Sequence, residues 1–318
     1  MLSLPETIEQ IQRAAKKVLA DGKAEVVIGY RAGTAPMTVA PIFCRCEDDC
    51  NQLTWSNFAK INLATYLSKY PGKVALIAKG CDARSAVGMV TENQILRDNL
   101  YIIGVACSGM VDVQEIQGKE SRPILTAEED AATIKLGGDG WNTNLTKEEV
   151  LRRNCKSCIC RTPKDIADEI IGEATEPLPA DDFADIKALA GKSTEEKMAY
   201  FRGLVKECIR CYACRNACPL CYCPVCFVDE TRPQWLGKSQ DEMDIYTFHI
   251  LRAFHCAGRC TSCGACEASC PMDIKLREFN RILEEEVQDD WQYVPGLSWD
   301  QKPPLTTYRP DDEAEFIK

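Results

Sequence analysis

The sequence predicts an α+β protein, in which an N-terminal α/β domain with a partly parallel sheet precedes a mainly helical, cysteine-rich domain. Two features of the 318 residues lead to this prediction. In the first half, the strand-length apolar segments KVALIAKG and LYIIGVAC flank the helical segment CDARSAVGMVTENQI. This β-α-β order favours a parallel pair of strands buried on both faces. In the second half, segments with helical periodicity alternate with dense groups of cysteine.

The other elements follow in chain order. A helix is predicted over residues 5–22, strands over AEVVIGYR and TVAPIF, and a helix over NFAKINLATYLSKY. GGDGWNTN is expected to be a loop, and TKEEVLRR after it a helix with Thr146 as its N-cap. STEEKMAYFRGLVKE opens with a Ser-x-x-Glu capping box, and DIYTFHILRAFHC and DIKLREFNRILEEEV both show helical periodicity.

A Pro-rich acidic stretch, ATEPLPADD at residues 174–182, is predicted to be the domain boundary. The predicted domains are therefore residues 1–175 and residues 176–290. Residues 291–318 are rich in Pro and aromatic side chains without periodicity. They are expected to form an extended C-terminal tail, which is either disordered or lies as an arm on a partner.

Composition excludes several classes of function. The N-terminus has no apolar signal segment, so the 20 cysteines are expected to be reduced in the cytoplasm. Apolar runs fall short of the ~18 residues that a spanning helix needs, which argues against membrane insertion. A net charge of −10 disfavours nucleic-acid binding. With only two histidines, metal binding should rest on thiolates.

Two cysteine motifs give the strongest functional signal. The pattern C-x2-C-x2-C-x3-CP, typical of paired 4Fe-4S clusters, occurs twice, and its fourth cysteine ligates the other cluster. The predicted ligand sets are Cys208, Cys211, Cys214 and Cys270 for one cluster, and Cys260, Cys263, Cys266 and Cys218 for the other. Structural zinc is the alternative, although zinc sites rarely show a doubled run of this kind.

Two further sets of four follow from the remaining cysteines. One combines a C-x-C-x2-C pattern with a nearby thiol: Cys221, Cys223, Cys226 and Cys256. Reduced core cysteines are the alternative there, and His255 could substitute as a ligand. The other is Cys81, Cys107, Cys155 and Cys158, in which two cysteines fall at the carboxyl ends of the apolar strands, where open α/β sheets place ligands.

Four cysteines are then left over: Cys44, Cys46, Cys50 and Cys160. They could hold a fifth cluster, bind zinc or remain reduced thiols. The twenty cysteines thus divide into five sets of four, which predicts five 4Fe-4S clusters.

The segments KGCDARSAVGMVTENQILRDNLYIIGVACSG and NCKSCICRTPKDIADEIIGE resemble the β-subunit family of hydrogenases and formate dehydrogenases linked to the deazaflavin coenzyme F420. CIRCYACRNACPLCYCPVC and CTSCGACEASCPMDI are similar to the C-terminal dicluster ferredoxin portion of the formate dehydrogenase β subunits. The resemblance covers roughly residues 60–175 and 200–285. It implies a 4Fe-4S cluster on Cys81, Cys107, Cys155 and Cys158.

This sequence departs from the family pattern in one respect. Family members continue past the equivalent of Gly172 with a long segment that completes a flavin and deazaflavin site, whereas here the chain passes directly into the acidic linker. FAD binding is therefore not expected. The predicted function is a multi-cluster electron-transfer subunit of an anaerobic oxidoreductase complex, without catalytic residues of its own. Its expected partners are a catalytic subunit and a second redox subunit or ferredoxin. The alternatives are a flavin-containing oxidoreductase acting on F420 or NAD(P), and a zinc-stapled interaction protein.

Overall fold

The computed structural model describes residues 2–130, 132–173 and 183–306. The predicted boundary at 174–182 lies outside these residues. The strands are β1 (Val26–Ala32), β2 (Val39–Cys44), β3 (Leu53–Thr54), β4 (Val74–Ala78), β5 (Leu100–Val105), β6 (Thr126–Glu129), β7 (Thr133–Gly138), β8 (Trp141–Thr146) and β9 (Glu169–Ile171). The helices are α1 (Leu4–Ala20), α2 (Glu47–Cys50), α3 (Gly80–Thr91), α4 (Val113–Lys119), α5 (Arg153–Lys156), α6 (Lys187–Ala190), α7 (Thr194–Leu204), α8 (Ala213–Asn216), α9 (Glu242–Cys256), α10 (Ala265–Ala268) and α11 (Arg277–Trp291).

The main sheet has the strand order β2-β1-β4-β5-β9, with β3 also paired to β1. β4 runs parallel to β1 and to β5, and β9 is parallel to β5. Every residue of β4 is buried, which is why this strand has a continuous apolar sequence. The predicted α+β class and partly parallel sheet are confirmed.

Four predicted helices are also confirmed. α1 begins after Ser3, which forms a reciprocal capping box with Glu6. α7 begins in the same way, with Ser193 capping and Glu196 returning the hydrogen bond. α9 and α11 match the two periodic segments of the second half, and they pack against each other.

Two predictions in the first half are wrong. GGDGWNTN is the turn and second strand of the β7–β8 hairpin, which buries Ile134 and Leu136 on one face. The Asp-Gly pair in the turn, with Gly140 at φ +72°, supplies the left-handed conformation that a tight hairpin requires. TKEEVLRR does not form an α-helix: β8 runs through Thr146, and only a 3-10 turn at Glu148–Val150 follows.

The helix predicted over NFAKINLATYLSKY is shorter and tighter than expected. It is a 3-10 helix over Leu63–Lys69, whose N-cap Asn62 accepts a hydrogen bond from the Ala64 backbone N–H. The cap lies five residues inside the predicted helix, so the helix begins after it. Asn62 also donates to the Ser85 hydroxyl at 2.9 Å, which ties this segment to α3.

The helical part of the chain packs on the sheet domain mainly through α3. Arg259 pairs with Glu92 at 2.6 Å, and Arg153 of α5 pairs with Glu278 of α11 at 2.8 Å. Leu220 is buried within the apolar core of the sheet domain. The two parts therefore meet over charged and apolar contacts.

The chain after α11 returns to the sheet domain. Tyr293 is buried, and the Pro295 carbonyl accepts a hydrogen bond from Arg84 Nε at 2.9 Å. Trp299 lies 4.5 Å from the Arg97 guanidinium and packs against the sheet core. The first part of the predicted tail thus lies on its own chain, and residues 307–318 are outside the described residues. Within the part of the chain that the structure describes, no helix has both the length and the apolar character to span a bilayer.

Candidate metal centre

The two copies of the cysteine motif adopt the same backbone shape. Loop I is defined as residues 208–214 and loop II as residues 260–266. In loop I, Arg210 and Tyr212 have φ of 53° and 59°, and the matching residues of loop II, Ser262 and Gly264, have φ of 55° and 69°. These left-handed residues turn backbone N–H groups toward the cysteines, and the Arg210 N–H lies 3.4 Å from the Cys208 sulfur. Such turns suit a ligand that is rich in anionic sulfur.

Loop I gathers the first predicted ligand set. Cys208, Cys211, Cys214 and Cys270 line one small cavity. Burial raises the pKa of the Cys214 thiol to about 11, with further contributions from Cys208 and Cys270. Cys270, which follows loop II in the sequence, is therefore placed beside loop I, as the crossed ligation requires.

Loop II gathers the second set around Cys218. Burial raises the pKa of Cys263, and the neighbouring Cys218 thiol raises it further. Burial likewise raises the pKa of Cys266, with Cys263 and Cys218 among the contributors. Cys260 is partly buried beside Cys263, which contributes to raising its pKa. Because metal ligation requires thiolates, thiols with raised pKa values must release protons as the metal binds.

Cys218 also faces a second group of thiols. The sulfur atoms of Cys218, Cys221 and Cys256 all lie within 4.8 Å of one another, and among the described residues this is the only such group. They line a cleft of about 750 Å³, together with Cys223 and Cys226. Hydrogen bonds from Cys218 and Cys256 lower the pKa of the Cys221 thiol. The cleft thus holds the third predicted set, and Cys218 stands between that set and loop II.

The fourth set lies in the crevice at the carboxyl end of the parallel sheet. This crevice is a cavity of about 70 Å³ whose wall includes Cys81, Cys107, Cys155, Cys158 and Cys160. Burial raises the pKa of Cys107 to about 12, with Cys155 and Cys158 contributing. The Gly109 N–H points at the Cys107 sulfur at 3.4 Å. Loop II forms the opposite wall through Cys260 and Cys263.

The fifth predicted set is not brought together. Cys44 pairs with Val27 of β1, and Val27 pairs with Ala75 near the start of β4. Cys160 instead packs on Gly80, just past the end of β4, where a Cβ on this glycine would lie 3.0 Å from the Cys160 sulfur. Ala75 and Gly80 are five residues apart along the chain, so at about 3.3 Å per residue the positions of Cys44 and Cys160 are separated by about 16 Å. Cys160 is therefore a fifth thiol of the crevice.

Cys44 and Cys50 stay together at the other end of the sheet. Burial raises the pKa of Cys44 to about 12, and the Cys50 thiol beside it adds to the shift. Cys46, between them in the sequence, is exposed. The arrangement is a buried pair of thiols with one exposed thiol nearby.

Two residues near the thiols were not identified from the sequence. His249 is buried, with its Nε2 3.3 Å from the Cys208 sulfur. Burial, with the nearby Arg252 and Arg210 cations, lowers the pKa of His249 to about 3, so the ring is neutral at physiological pH. The sequence contains no pattern around His249 that indicates its contact with Cys208.

Arg252 is the second such residue. Its side chain is 4% exposed, and its only hydrogen bond in the described structure runs from Nη2 to the Cys214 carbonyl at 3.3 Å. None of the described carboxylates forms an ion pair with it. Burial alone would lower the pKa of Arg252, but the surrounding Cys266, Cys256, Cys218 and Cys214 raise it. A cation at this position would be neutralised by thiolates.

These features define a class of protein: an α/β and helical chain that concentrates cysteine thiols in two repeated loops, a cleft and a sheet crevice, in a pattern compatible with iron–sulfur binding. Comparison with known proteins agrees with this class. The chain is 25% identical to the F420-dependent formate dehydrogenase subunit beta of Methanocaldococcus jannaschii over 307 residues, covering 79% of each chain. It is 24% identical to the F420-dependent formate dehydrogenase 1 subunit beta of Methanococcus maripaludis over 359 residues, covering 91% of this chain and 90% of the relative.

These two relatives confirm the resemblance seen in the sequence. No protein-family model matches the chain. Among solved structures, a chain in the F420-reducing [NiFe] hydrogenase complex from Methanosarcina barkeri aligns with 51% of this chain and 60% of its own length. That alignment has 15% identity and a TM-score of 0.35, which is too low to support an argument about fold.

Proposed function

We propose that this chain is an iron–sulfur electron-transfer subunit of a cytoplasmic oxidoreductase complex, in which it relays single electrons between a catalytic subunit and a second redox partner. The formate dehydrogenase subunits that it resembles support membership of such a complex. Iron–sulfur clusters supply one-electron transfer when they are bound. The residues that would hold them are the loop I, loop II, cleft and crevice sets.

One observation carries the proposal: the four thiol sets form a continuous series through the molecule. Arg252, which lines the cleft, donates to the carbonyl of Cys214 in loop I at 3.3 Å. Cys218 lies within 4.8 Å of Cys221 and Cys256 in the cleft and faces Cys263 of loop II, and Cys260 and Cys263 line the crevice together with Cys81. Each set is thus next to another, which is the arrangement that stepwise transfer between one-electron carriers needs.

The chain's own residues would prepare these sites. Burial keeps water from Cys107, Cys155, Cys214, Cys256 and Cys266, and backbone N–H groups near Cys208, Cys107 and Cys155 are placed to donate to ligand sulfurs. Such hydrogen bonds, together with solvent exposure, set the reduction potential at each site. No side chain in this proposal takes part in bond making or breaking.

Protein purified without oxygen should contain about 16 iron atoms per chain, four for each of four clusters. The number is lower than the about 20 expected from cysteine count, because the structure separates Cys160 from Cys44 and Cys50. Metal and acid-labile sulfide analysis gives the number, and electron paramagnetic resonance of the reduced protein identifies the clusters. Zinc in place of iron would overturn the proposal.

The flavin-containing alternative has a separate test. The alignment with the M. maripaludis relative spans 359 positions, more than the 318 residues of this chain, so the relative has residues with no counterpart here. This supports the proposed loss of the flavin segment. Acid-released supernatant should therefore contain no stoichiometric flavin. About one flavin per chain, with turnover of F420 or NAD(P), would replace the relay by an enzyme.

A further inference from the structure

The repeated motif places equivalent residues of its two copies in very different surroundings. Beside the loop II set, Thr261 follows the first cysteine of loop II, and Leu220 follows the Cys218-Pro219 pair that crosses over from the first copy. Both are 4% exposed, because the sheet domain covers them. Beside the loop I set, the corresponding residues are Ile209 and Met272, which are 53% and 39% exposed.

The face formed by Thr261 and Leu220, which the sheet domain covers, shows which contacts a surface of this kind makes. The Thr261 and Ser85 hydroxyls share a hydrogen bond of 2.9 Å, and the Thr261 carbonyl accepts a hydrogen bond from Arg84 at 3.2 Å. Leu220 packs against α3 near Gly88. This contact brings Cys263 of loop II to the crevice that Cys81 lines. One face of the repeat is therefore a docking surface between two thiol sets, built from apolar contacts and donated hydrogen bonds.

Arginine supplies much of the polar contact on that face. Arg152 donates to the Gly264 carbonyl at 2.8 Å, alongside the contact of Arg84 with Thr261. Asn154 donates to the Cys263 carbonyl at 3.0 Å. The loop thus presents carbonyl oxygens and an anionic site, which match cationic donors on the partner surface.

The uncovered face shares the apolar component, while its Ile209 carbonyl accepts a hydrogen bond from Gln240 Nε2 at 3.2 Å. Ile209 and Met272 line one cavity with Cys211, the exposed cysteine of the loop I set. Two exposed apolar side chains thus flank the thiol through which this set meets solvent. Since the net charge of the chain is −10, a cationic surface on a partner would also be attracted over a longer distance.

We infer that the face formed by Ile209, Cys211 and Met272 docks an external redox protein that presents its electron carrier within an apolar surface bearing cationic side chains. This inference rests on the proposed function and locates one end of the relay. The partner would occupy the position that the sheet domain occupies on the second copy. On contact, one electron leaves the reduced loop I cluster, which is oxidised by one unit, and the partner's carrier gains that electron.

The test uses iron-loaded full-length protein that is first reduced with dithionite and then freed of the excess reductant, and a basic c-type cytochrome as the probe. The double variant Ile209→Lys/Met272→Lys removes the apolar contact and repels a cationic surface. The control, Leu96→Lys/Leu125→Lys, changes two residues that are 69% and 60% exposed and adds the same charge. Calorimetry measures the Kd at low salt, and stopped-flow absorbance measures electron transfer to the cytochrome.

We expect the docking variant to raise the Kd at least tenfold and to slow cytochrome reduction to the same extent, while the control changes either quantity less than threefold. Reduction of methyl viologen, which needs no docking face, should stay unchanged in both variants. Equal effects of the two double variants would overturn the inference, since only overall charge would then matter.

Three other outcomes are separable. If sedimentation velocity shows a wild-type dimer that the docking variant makes monomeric, the face binds a second copy and the inference is wrong. If the wild-type protein contains no iron, the proposed function fails instead. If all proteins contain iron and the docking variant behaves like the wild type, the relay proposal stands and the docking face is rejected.

Discussion

At the scale of single residues, the polar side chains around the thiols decide how each set would behave. His249 and Arg252 are both buried on α9 and both face cysteines, yet they differ in charge. His249 is a neutral hydrogen-bonding group at Cys208, whereas Arg252 is a cation surrounded by cysteines of three sets. We expect the first to affect one site and the second to affect several.

Replacing His249 tests the first expectation. His249→Leu removes the hydrogen bond to the Cys208 sulfur, which stabilises the more negative reduced state. The midpoint potential of the loop I cluster should fall by about 60 mV, equivalent to about 1.4 kcal/mol for one electron. Redox titration followed by electron paramagnetic resonance measures the shift. His255→Leu is the matched control, because His255 is exposed and lines the cleft instead of lying beside Cys208, so it should leave the potential of the loop I cluster unchanged. A similar shift in both variants would show that the His249 contact does not tune the cluster.

Substitutions of Arg252 distinguish the effect of its charge on the clusters from the effect of its packing. Arg252→Met keeps an apolar stem but removes the cation, so reduction of the clusters around it should become less favourable by about 60 mV or more. Arg252→Lys keeps the charge and should preserve most of the potential. Iron content, measured first, establishes that both variants still hold their clusters. Equal potentials in the Met and Lys variants would assign Arg252 a packing role alone.

At the scale of elements, the two cysteine loops share a backbone but differ in what their left-handed positions tolerate. Tyr212 and Gly264 occupy the same position, with φ of 59° and 69°. A Cβ on Gly264 would lie 2.7 Å from the Asn154 side chain, so glycine is required there by the docked sheet domain as well as by φ. The Tyr212 ring instead packs edge-to-face against Phe248, which compensates for the strained backbone.

We therefore expect opposite sensitivities at these two positions. Gly264→Ala combines left-handed strain with a clash at the domain contact, and should destabilise the protein by about 2 kcal/mol or more. Tyr212→Ala keeps the strain of about 1 kcal/mol and loses the ring contact together with the hydrogen bond that Arg210 donates to the Tyr212 hydroxyl at 2.9 Å, while Tyr212→Gly relieves the strain. Thermal unfolding of the iron-loaded proteins measures each change. A Gly264→Ala variant that loses no more than the backbone strain of about 1 kcal/mol would refute the role of the contact with Asn154.

Local patterns predicted the elements that their own residues determine, and failed where distant residues decide. The capping box at Ser193 acts within one helical turn, so the sequence located the start of α7. The β7–β8 hairpin was missed because Ile134 and Leu136 are its only fully buried side chains, and polar residues between them weaken the alternation. The prediction of a fifth cluster rested on the number of cysteines alone. It took no account of the length of the sheet, which separates Cys160 from Cys44. His249 and Arg252 meet the cysteines only after α9 packs.

At the scale of the whole molecule, the segment after α11 closes the crevice. Tyr293 and Pro295 contribute to the crevice wall, and Arg84 bonds both Pro295 and Thr261. Gly296, at φ +75°, approaches α3 so closely that a Cβ would lie 2.2 Å from the Arg84 carbonyl oxygen. The segment, loop II and the sheet domain are therefore fastened at one arginine.

Gly296→Ala should release this segment. Its Cβ would meet backbone rather than a movable side chain, so residues 293–296 must shift away from α3. We expect limited proteolysis after residue 291 to accelerate at least tenfold, and the crevice cluster to be lost faster in air. Gly22→Ala is the matched control, because Gly22 has a similar φ of +64° but no atom within 4 Å of a Cβ. If both variants resist protease equally, close packing of Gly296 on α3 does not hold the segment.

The closing role of residues 293–295 bears on how the protein is made. A ribosome completes the sheet domain and all five crevice cysteines well before it reaches these residues, and it completes loop II only some thirty residues before them. During synthesis the crevice is thus open, with Arg84 lacking its Pro295 partner, until residues 293–296 emerge. We expect iron and sulfide to be delivered to the crevice in this interval, since the finished chain covers the site. Cluster assembly would then have to keep pace with translation, and a cell short of iron would accumulate closed chains that are difficult to repair.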